Sequence, residues 1–224
     1  MPHAPLAHAD FAHVEAWVFD LDNTLYPTDI RLFDQIQRRM TDYVMRTLAV
    51  DEAEADRLRR RYWEEHGTTL AGLMHEHGID PVPYLAEVHD IDLTAVPPHA
   101  ALRDAIGRLP GRKIVYTNGS REHARRVTGA IGLDGAFDRL YGFEDATFVA
   151  KPQAAAFAAV FGLDGLDPTR GAMFEDDHRN LAVPHALGMR TVLVGPRSVG
   201  AGEAHAHVHH VTDDLVAFLE GIAP

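Results

Sequence analysis

The sequence predicts an α/β protein built on a parallel sheet, with a helical segment inserted after the first strand. Short apolar runs alternate with helical patterns, and each run ends in polar or turn residues. One long stretch between the first two runs carries helical patterns alone. Polar residues at the ends of parallel strands gather at the carboxyl edge of the sheet, where ligands bind in open α/β folds. The residues that follow each run are therefore the first candidates for function.

Four apolar runs are the predicted strands, at residues 16–19, 114–116, 172–174 and 191–194. Each is followed by polar or turn residues that the interior of a central strand would not tolerate. These are residues 20–24, 117–120 and 175–177, and the pair Gly195-Pro196. From residue 100 onward, helix and strand patterns alternate. The apolar face of the last helix is formed by Leu215, Phe218, Leu219 and Ile222.

The segment between residues 28 and 97 predicts helices, since it contains no convincing strand pattern up to residue 93. The apolar face of its first helix is formed by Phe33, Ile36, Met40, Val44 and Leu48. A capping box at Asp51 opens a second helix, which Gly67 closes. Two shorter helices are predicted at 70–77, stopped by Gly78, and at 83–89. We therefore predict a core of residues 1–27 and 98–224 and a helical insertion at 28–97.

Composition excludes several classes of function. The 224 residues are 46% hydrophobic, which is enough to fill a core. The absence of cysteine excludes disulfides, thiolate metal sites and cysteine nucleophiles. A formal charge of −12 makes nucleic acid and membranes poor partners. Residues 1–13 contain no Lys, Arg or apolar stretch, so we expect no signal peptide and a cytoplasmic location.

Asp20 and Asp22 follow the first predicted strand. Residues two apart on a strand share a face, so both carboxylates can converge on one small volume. They would repel each other unless a cation lay between them, and a hard divalent ion such as Mg²⁺ is the simplest one. Alone, however, the pair would more often be a surface turn in which Asp22 caps the next segment.

Further polar residues belong to the same predicted sheet edge: Thr117, Asn118, Lys151, Asp176 and Asp177. Taken singly, each has an ordinary explanation as a turn, an exposed lysine or a helix N-cap. Taken together, two acidic sites, one hydroxyl and one lysine meet at strand ends. Phosphoryl transfer needs such a nucleophile, metal site and set of donors.

These residues resemble the four ordered motifs of the haloacid dehalogenase superfamily. The motifs are Asp20-Leu21-Asp22-Asn23-Thr24-Leu25-Tyr26, Thr117-Asn118, Lys151-Pro152 and Glu175-Asp176-Asp177. The resemblance covers residues 16–222 and implies a Rossmann-like core with a helical cap of type 1, which selects the substrate. Two stretches also resemble the pyrimidine 5′-nucleotidase branch. They are residues 22–27, and Tyr62-Trp63-Glu64-Glu65-His66-Gly67 continuing to Leu73.

The resemblance implies a role for each residue. Asp20 would attack phosphorus and carry an aspartyl-phosphate. Asp22 would protonate the leaving oxygen and later deprotonate water. Mg²⁺ would be held by Asp20, the backbone carbonyl of Asp22, and Asp176, which we favour over Asp177. Thr117 and Asn118 would donate hydrogen bonds to the phosphate. Lys151 would neutralise the phosphate and orient Asp20.

The resemblance therefore implies a Mg²⁺-dependent phosphomonoester hydrolase, with UMP- or CMP-like substrates. Phosphoglycolate or a sugar phosphate is the alternative substrate, and transfer to an acceptor other than water stays open. A true dehalogenase is disfavoured because it needs neither metal nor an acid at Asp22. A receiver domain shares the acidic pocket but is shorter and lacks the insertion. Oligomeric state is not predicted.

Two other features have structural interpretations. The histidines at 205, 207, 209 and 210 could catch a transition metal, but a strand over 208–211 would split them between two faces. We therefore expect a polar surface strand there. Trp17 and Trp63 are expected in core or cap packing rather than as a stacking platform.

Overall fold

The computed structural model describes residues 8–195 and 205–223. Residues 1–7, part of the segment expected to lack a signal peptide, and Pro196, expected to follow the fourth strand, lie outside this range. The described strands are β1 Ala16–Phe19, β2 Arg112–Tyr116, β3 Arg139–Tyr141, β4 Gly171–Glu175, β5 Arg190–Val194 and β6 His210–Thr212. The described α-helices are α1 His8–Phe11, α2 Leu32–Leu48, α3 Glu52–His66, α4 Thr69–His77, α5 Pro81–Val88, α6 Ala100–Arg108, α7 Arg121–Ala130, α8 Ala154–Asp164, α9 Ala182–Ala186 and α10 Leu215–Ile222.

The six strands form one parallel sheet in the order β3-β2-β1-β4-β5-β6. The chain runs from β1 through β2 to β3 on one side and then returns to build β4, β5 and β6 on the other. The order therefore reverses between β1 and β4, where a crevice opens outside the carboxyl ends of the strands. This confirms the predicted α/β, Rossmann-like fold.

The observed sheet differs from the predicted one mainly at its edges. The sequence pattern does not reveal β3, because this strand has only three residues and the first, Arg139, is exposed. β2 begins at Arg112 rather than residue 114, since Arg112 and Lys113 pair with Ala16 and Trp17 of β1 despite their charge. The strand expected over 208–211 begins only at His210.

Alternating side chains of the strands fill two cores on opposite faces of the sheet. Trp17, Phe19 and Phe174 belong to one cluster, whereas Val18 and Met173 belong to the other. All four residues of β1 are buried, because helices cover both faces of this central strand. Trp17 packs in the core as expected.

Residues 28–97 are all described and contain no strand, as predicted. The Asp51 side chain accepts a hydrogen bond from the Glu54 N–H and caps α3, and Gly67 ends that helix at φ 88°. A Cβ on Gly67 would lie 2.6 Å from the carbonyl oxygen of Lys151, so glycine also permits this close approach. α5 begins at Pro81 rather than residue 83, because the Asp80 side chain caps the Val82 N–H.

The helices α2 to α5 share a third apolar cluster. It includes Val44, Tyr62, Leu73, Tyr84 and Val88 from these helices, and Phe143 and Ala150 from the remainder of the chain. The insertion therefore buries its own apolar residues and also packs against the part that carries the sheet. Its status as a separate domain over 28–97 stays a prediction.

Candidate active site

The predicted site residues surround a cavity at the carboxyl edge of the sheet. The cavity has a volume of about 800 Å³. Asp20, Thr117 and Asp176 line it from the strand ends. The insertion contributes residues of α2 and α3, including Met40, Arg59 and Trp63. The cavity lies where the strand order reverses, between β1 and β4, and is the candidate active site.

Lys151 lies at the centre of the charged groups and is 1% exposed. Its Nζ donates to Asp20 Oδ1 at 2.8 Å, to Glu175 Oε2 at 2.8 Å and to the Tyr116 carbonyl at 3.0 Å. Burial lowers the pKa of Lys151, but the charges of Asp20 and Glu175 outweigh it and hold the pKa above its usual value. Lys151 therefore stays protonated and orients Asp20.

Asp20, Glu175 and Asp176 form an acidic cluster. One carboxylate oxygen of each lies within 4.8 Å of those of the other two. Burial and the neighbouring charge of Asp20 raise the pKa of Asp176 to about 7. Burial also raises the pKa values of Asp20 and Glu175, although Lys151 opposes the shift. If all three were ionised, the cluster would carry more negative charge than one lysine compensates, and this opposes their ionisation.

A hard divalent cation fits this donor set, because carboxylate oxygens are the ligands that Mg²⁺ prefers. Asp20 and Asp176 are the side chains best placed to hold it. Glu175 is already bonded through both oxygens, to Lys151 and, at 2.9 Å, to Asn180 Nδ2. Asn23 Nδ2 donates to Asp176 Oδ2 at 3.3 Å and orients that carboxylate.

Asp22 lies beside this cluster but has different partners. Its Oδ1 accepts the Tyr26 hydroxyl at 2.6 Å and lies 2.9 Å from His123 Nε2. Burial raises the pKa of Asp22, but the electrostatic attraction and hydrogen bond of His123 and the hydrogen bond of Tyr26 outweigh it and lower the pKa. The contact expected between a metal and Asp22 would run through its backbone carbonyl and stays a prediction.

Thr117 and Asn118 follow β2 and line the cavity. Thr117 Oγ1 accepts the Gly119 N–H at 2.9 Å, which leaves its own O–H proton available to a ligand. The Asn118 side chain instead brackets the backbone of Lys151. It accepts the Lys151 N–H at 2.9 Å and donates to the Lys151 carbonyl at 3.2 Å. The role predicted for both residues toward phosphate remains a prediction.

Asp177 is not a member of the acidic cluster and pairs with Arg179 at 2.7 Å. It also caps the 3-10 turn His178–Leu181, the ordinary role that the sequence left open. The Arg179 guanidinium lies 3.4 Å from the centroid of the Trp63 ring. Trp63 is 47% exposed, so of the expected core or cap packing the core alternative is wrong for this residue. It links α3 to the loop after β4.

The histidine cluster differs from the predicted surface strand. His205 stacks on His178 with centroids 3.7 Å apart and planes within 5°. His207 Nε2 lies 2.9 Å from the His178 carbonyl, and His209 Nδ1 contacts Thr191. A ring nitrogen of each of His178, His205 and His207 lies within 4.8 Å of the others. One metal ion cannot lie in the ring planes of both His178 and His205, because these rings are stacked and parallel. We therefore interpret the cluster as ring packing rather than as a metal site.

The sequence did not identify Glu175, Asn180 or His123 as site residues. Glu175 had a signal, because it immediately precedes Asp176 at a strand end. His123 had none, since its contact with Asp22 joins residues 101 positions apart. Asn180 likewise becomes relevant only when the 3-10 turn folds back on β4.

Sequence comparison identifies the family to which this fold and site belong. Residues 14–188 match the family of haloacid dehalogenase-like hydrolases. The chain therefore belongs to this family, and the family-level resemblance of the four motifs is confirmed.

A curated relative is Phosphate metabolism protein 8 of Saccharomyces cerevisiae, 27% identical over 223 residues. The alignment covers 93% of this chain, which spans 65% of the length of the yeast protein.

Several solved structures have the same fold. CbbY from Rhodobacter sphaeroides, in complex with phosphate, has a TM-score of 0.63 and 19% identity over 93% of this chain and 99% of its own. The putative HAD-hydrolase YfnB from Bacillus subtilis, bound to magnesium, has a TM-score of 0.60 and 14% identity over 94% and 99%. The L-2-haloacid dehalogenase PA0810 has a TM-score of 0.58 and 18% identity over 94% and 100%. These similarities establish the shared fold.

Within the described residues, no helix is both long and apolar enough to cross a membrane.

Proposed function

We propose that this hydrolase cleaves phosphomonoesters through an aspartyl-phosphate on Asp20, with Mg²⁺ as cofactor. The observation that carries the proposal is the geometry around Asp20. Lys151 holds Asp20 Oδ1 at 2.8 Å, and the uncompensated carboxylate of Asp176 lies beside it. An anionic nucleophile can approach an anionic phosphate only when cations offset the repulsion. The relationship to a yeast protein of phosphate metabolism supports the same chemistry.

Two steps complete the proposed reaction. In the first, an oxygen of Asp20 forms a bond to phosphorus while the bond to the leaving oxygen breaks and Asp22 supplies its proton. In the second, Asp22 takes a proton from water, and the resulting hydroxide displaces Asp20 from phosphorus. Mg²⁺, held by Asp20, Asp176 and the carbonyl of Asp22, would supply positive charge next to the phosphate oxygens. Thr117 and Asn118 would donate hydrogen bonds to those oxygens.

Pyrimidine nucleoside monophosphates are the proposed substrates. The resemblance at residues 22–27 and 62–73 motivates this choice. The cavity supports it, because apolar residues of α2 and α5 such as Ile36, Met40 and Val88 offer a wall for a planar base. A bounded wall would favour a single ring over a double ring by about 10- to 200-fold, the range that small size differences produce.

A panel of phosphomonoesters tests this function. Phosphate release should require Mg²⁺ and stop in excess chelator. UMP and CMP should exceed AMP, GMP, phosphoglycolate and a sugar phosphate in kcat/KM. Acid-quenched enzyme should carry covalent phosphate that the Asp20→Asn variant lacks.

Three outcomes would count against parts of the proposal. Full activity in chelator would contradict the metal role. A preference for phosphoglycolate or a sugar phosphate would contradict the nucleotidase assignment alone. Chloride release from 2-chloropropionate without phosphatase activity would indicate a dehalogenase.

A further inference from the structure

We propose that His123 is a positioning residue that holds the Asp22 carboxylate by one oxygen, so that the other oxygen transfers the proton. This inference rests on the proposed function, in which Asp22 is the general acid and base. Among the described residues, His123 is not one of those that line the cavity. It lies in the first turn of α7, 1% exposed, with Nε2 2.9 Å from Asp22 Oδ1.

The hydrogen bonds around His123 and Asp22 show which ring nitrogen of His123 is the donor. Nδ1 of His123 is buried and has no partner among the described residues. An ionised carboxylate only accepts hydrogen bonds, so the 2.9 Å contact requires a proton on Nε2, which donates to Asp22. The Tyr26 hydroxyl donates to the same Oδ1 at 2.6 Å. Two donors therefore occupy Oδ1, whereas Oδ2 has no hydrogen-bond partner within the part of the chain that the structure describes.

This asymmetry fits proton transfer. A carboxyl group protonates more readily on the oxygen that accepts no hydrogen bonds. Oδ1 anchors the group to α7 and to the loop after β1, while Oδ2 is left to give a proton to the leaving oxygen and to take one from water. Placement of the reacting atom within a fraction of an ångström is a large part of such catalysis.

Contacts from the insertion hold the His123 ring in place. The ring of His89, which follows α5, stacks on the His123 ring with centroids 4.2 Å apart and planes within 12°. His89 Nδ1 lies 3.2 Å from Ser120 Oγ, and Ser120 Oγ accepts the His123 N–H at 3.1 Å. Arg126 of α7 donates to the His89 carbonyl at 2.8 Å. The position of Asp22 thus depends on the docking of the insertion against α7.

The test is a double-mutant cycle on the full chain with Mg²⁺ and the alkyl phosphomonoester that the enzyme hydrolyses fastest, because an alkoxide leaving group needs the proton of Asp22. His123→Leu keeps the volume but removes the donor, and kcat should fall by about 10-fold or more while KM changes less than about twofold. His123→Gln places an amide N–H where Nε2 lies and should recover most of the lost rate. In an Asp22→Asn background, His123→Leu should have almost no further effect, because residues that act as one unit are not additive.

Thr128→Val is the matched control, since it removes a buried hydrogen bond within α7 in which neither His123 nor Asp22 takes part. It should leave kcat within about twofold of wild type if the effect of His123 is specific. An equal loss from His123→Leu in both backgrounds, or no recovery with His123→Gln, overturns the positioning role. If Asp22→Asn alone leaves kcat unchanged, the acid–base assignment of the proposed function fails instead, and the positioning role with it. Near-ultraviolet circular dichroism identifies any variant that does not fold, and His123→Gln then decides the outcome.

Discussion

At the scale of single residues, neighbouring carboxylates of the site differ in their surroundings. Asp20 contacts a buried lysine, Asp176 belongs to the crowded acidic cluster, and Asp22 accepts hydrogen bonds from Tyr26 and His123. Carboxylates with different surroundings can take different chemical roles, as the division between nucleophile and acid requires. Both residues follow the end of β1, so their place in the chain does not distinguish them; their partners do.

Asp22→Asn should lower kcat/KM for UMP by about 10²- to 10⁴-fold, the usual contribution of general acid–base catalysis. The loss should be smaller for p-nitrophenyl phosphate, because nitrophenolate leaves without taking a proton. Steady-state kinetics on the two substrates measure the difference. Equal losses on both would show that Asp22 does not protonate the leaving group.

At the scale of secondary-structure elements, the contact between α3 and the loop after β4 joins the two sides of the cavity. The Arg179 guanidinium lies against the Trp63 ring, and its NH1 donates to the Trp63 carbonyl at 3.3 Å. Arg179 also holds Asp177, next to Asp176. The Trp63 ring therefore contacts the Arg179–Asp177 ion pair, and Asp177 is the neighbour of Asp176 in the chain. This series of contacts connects the insertion to the acidic cluster.

Trp63→Ala should raise KM for UMP several-fold with little change in kcat, because the insertion then covers the cavity less tightly. The free energy of unfolding should fall by about 1 kcal/mol, as for an exposed cation–π pair. Trp63→Phe keeps an aromatic face and serves as the control. Urea titrations and Michaelis–Menten curves provide the measurements, and a wild-type KM in Trp63→Ala would exclude the coupling.

At the scale of the whole molecule, buried titratable groups make stability depend on pH. Burial and the adjacent His123 lower the pKa of His89 from 6.5 to about 3. Below pH 6.5 the unfolded chain takes up a proton on His89 and the folded chain does not. The contribution of His89 to stability is therefore complete above that pH and is lost progressively as the pH falls toward 3.

Between pH 7 and 5, His89 should account for a decrease of about 2 kcal/mol in the free energy of unfolding, at 1.36 kcal/mol for each unit of pKa difference. His89→Asn should show a correspondingly shallower decrease than wild type. The raised pKa of Asp176 has the opposite effect on the free energy of unfolding. This effect is the same in wild type and His89→Asn, so it cancels when the two proteins are compared. Urea unfolding of both proteins at the two pH values tests this, and parallel pH profiles would contradict it.

The sequence by itself determined the α/β class, the helical insertion and the four motifs that mark the family. Those features are local: apolar runs, helix spacing, caps at Asp51 and Gly67, and short motifs at strand ends. It also predicted Trp17 in the core. It missed β3, because three residues with a charged first member carry no readable period.

Only the tertiary structure decided which side chains meet. His123 reaches Asp22 across 101 positions, Trp63 reaches Arg179 across 116, and Lys151 reaches both Asp20 and Glu175. Periodicity and motif spacing relate residues that are close in the sequence. These contacts instead depend on the order of the parallel strands and on where the insertion docks. The partners that distinguish Asp22 from Asp20 and expose Trp63 are set by that packing, and no local pattern encodes them.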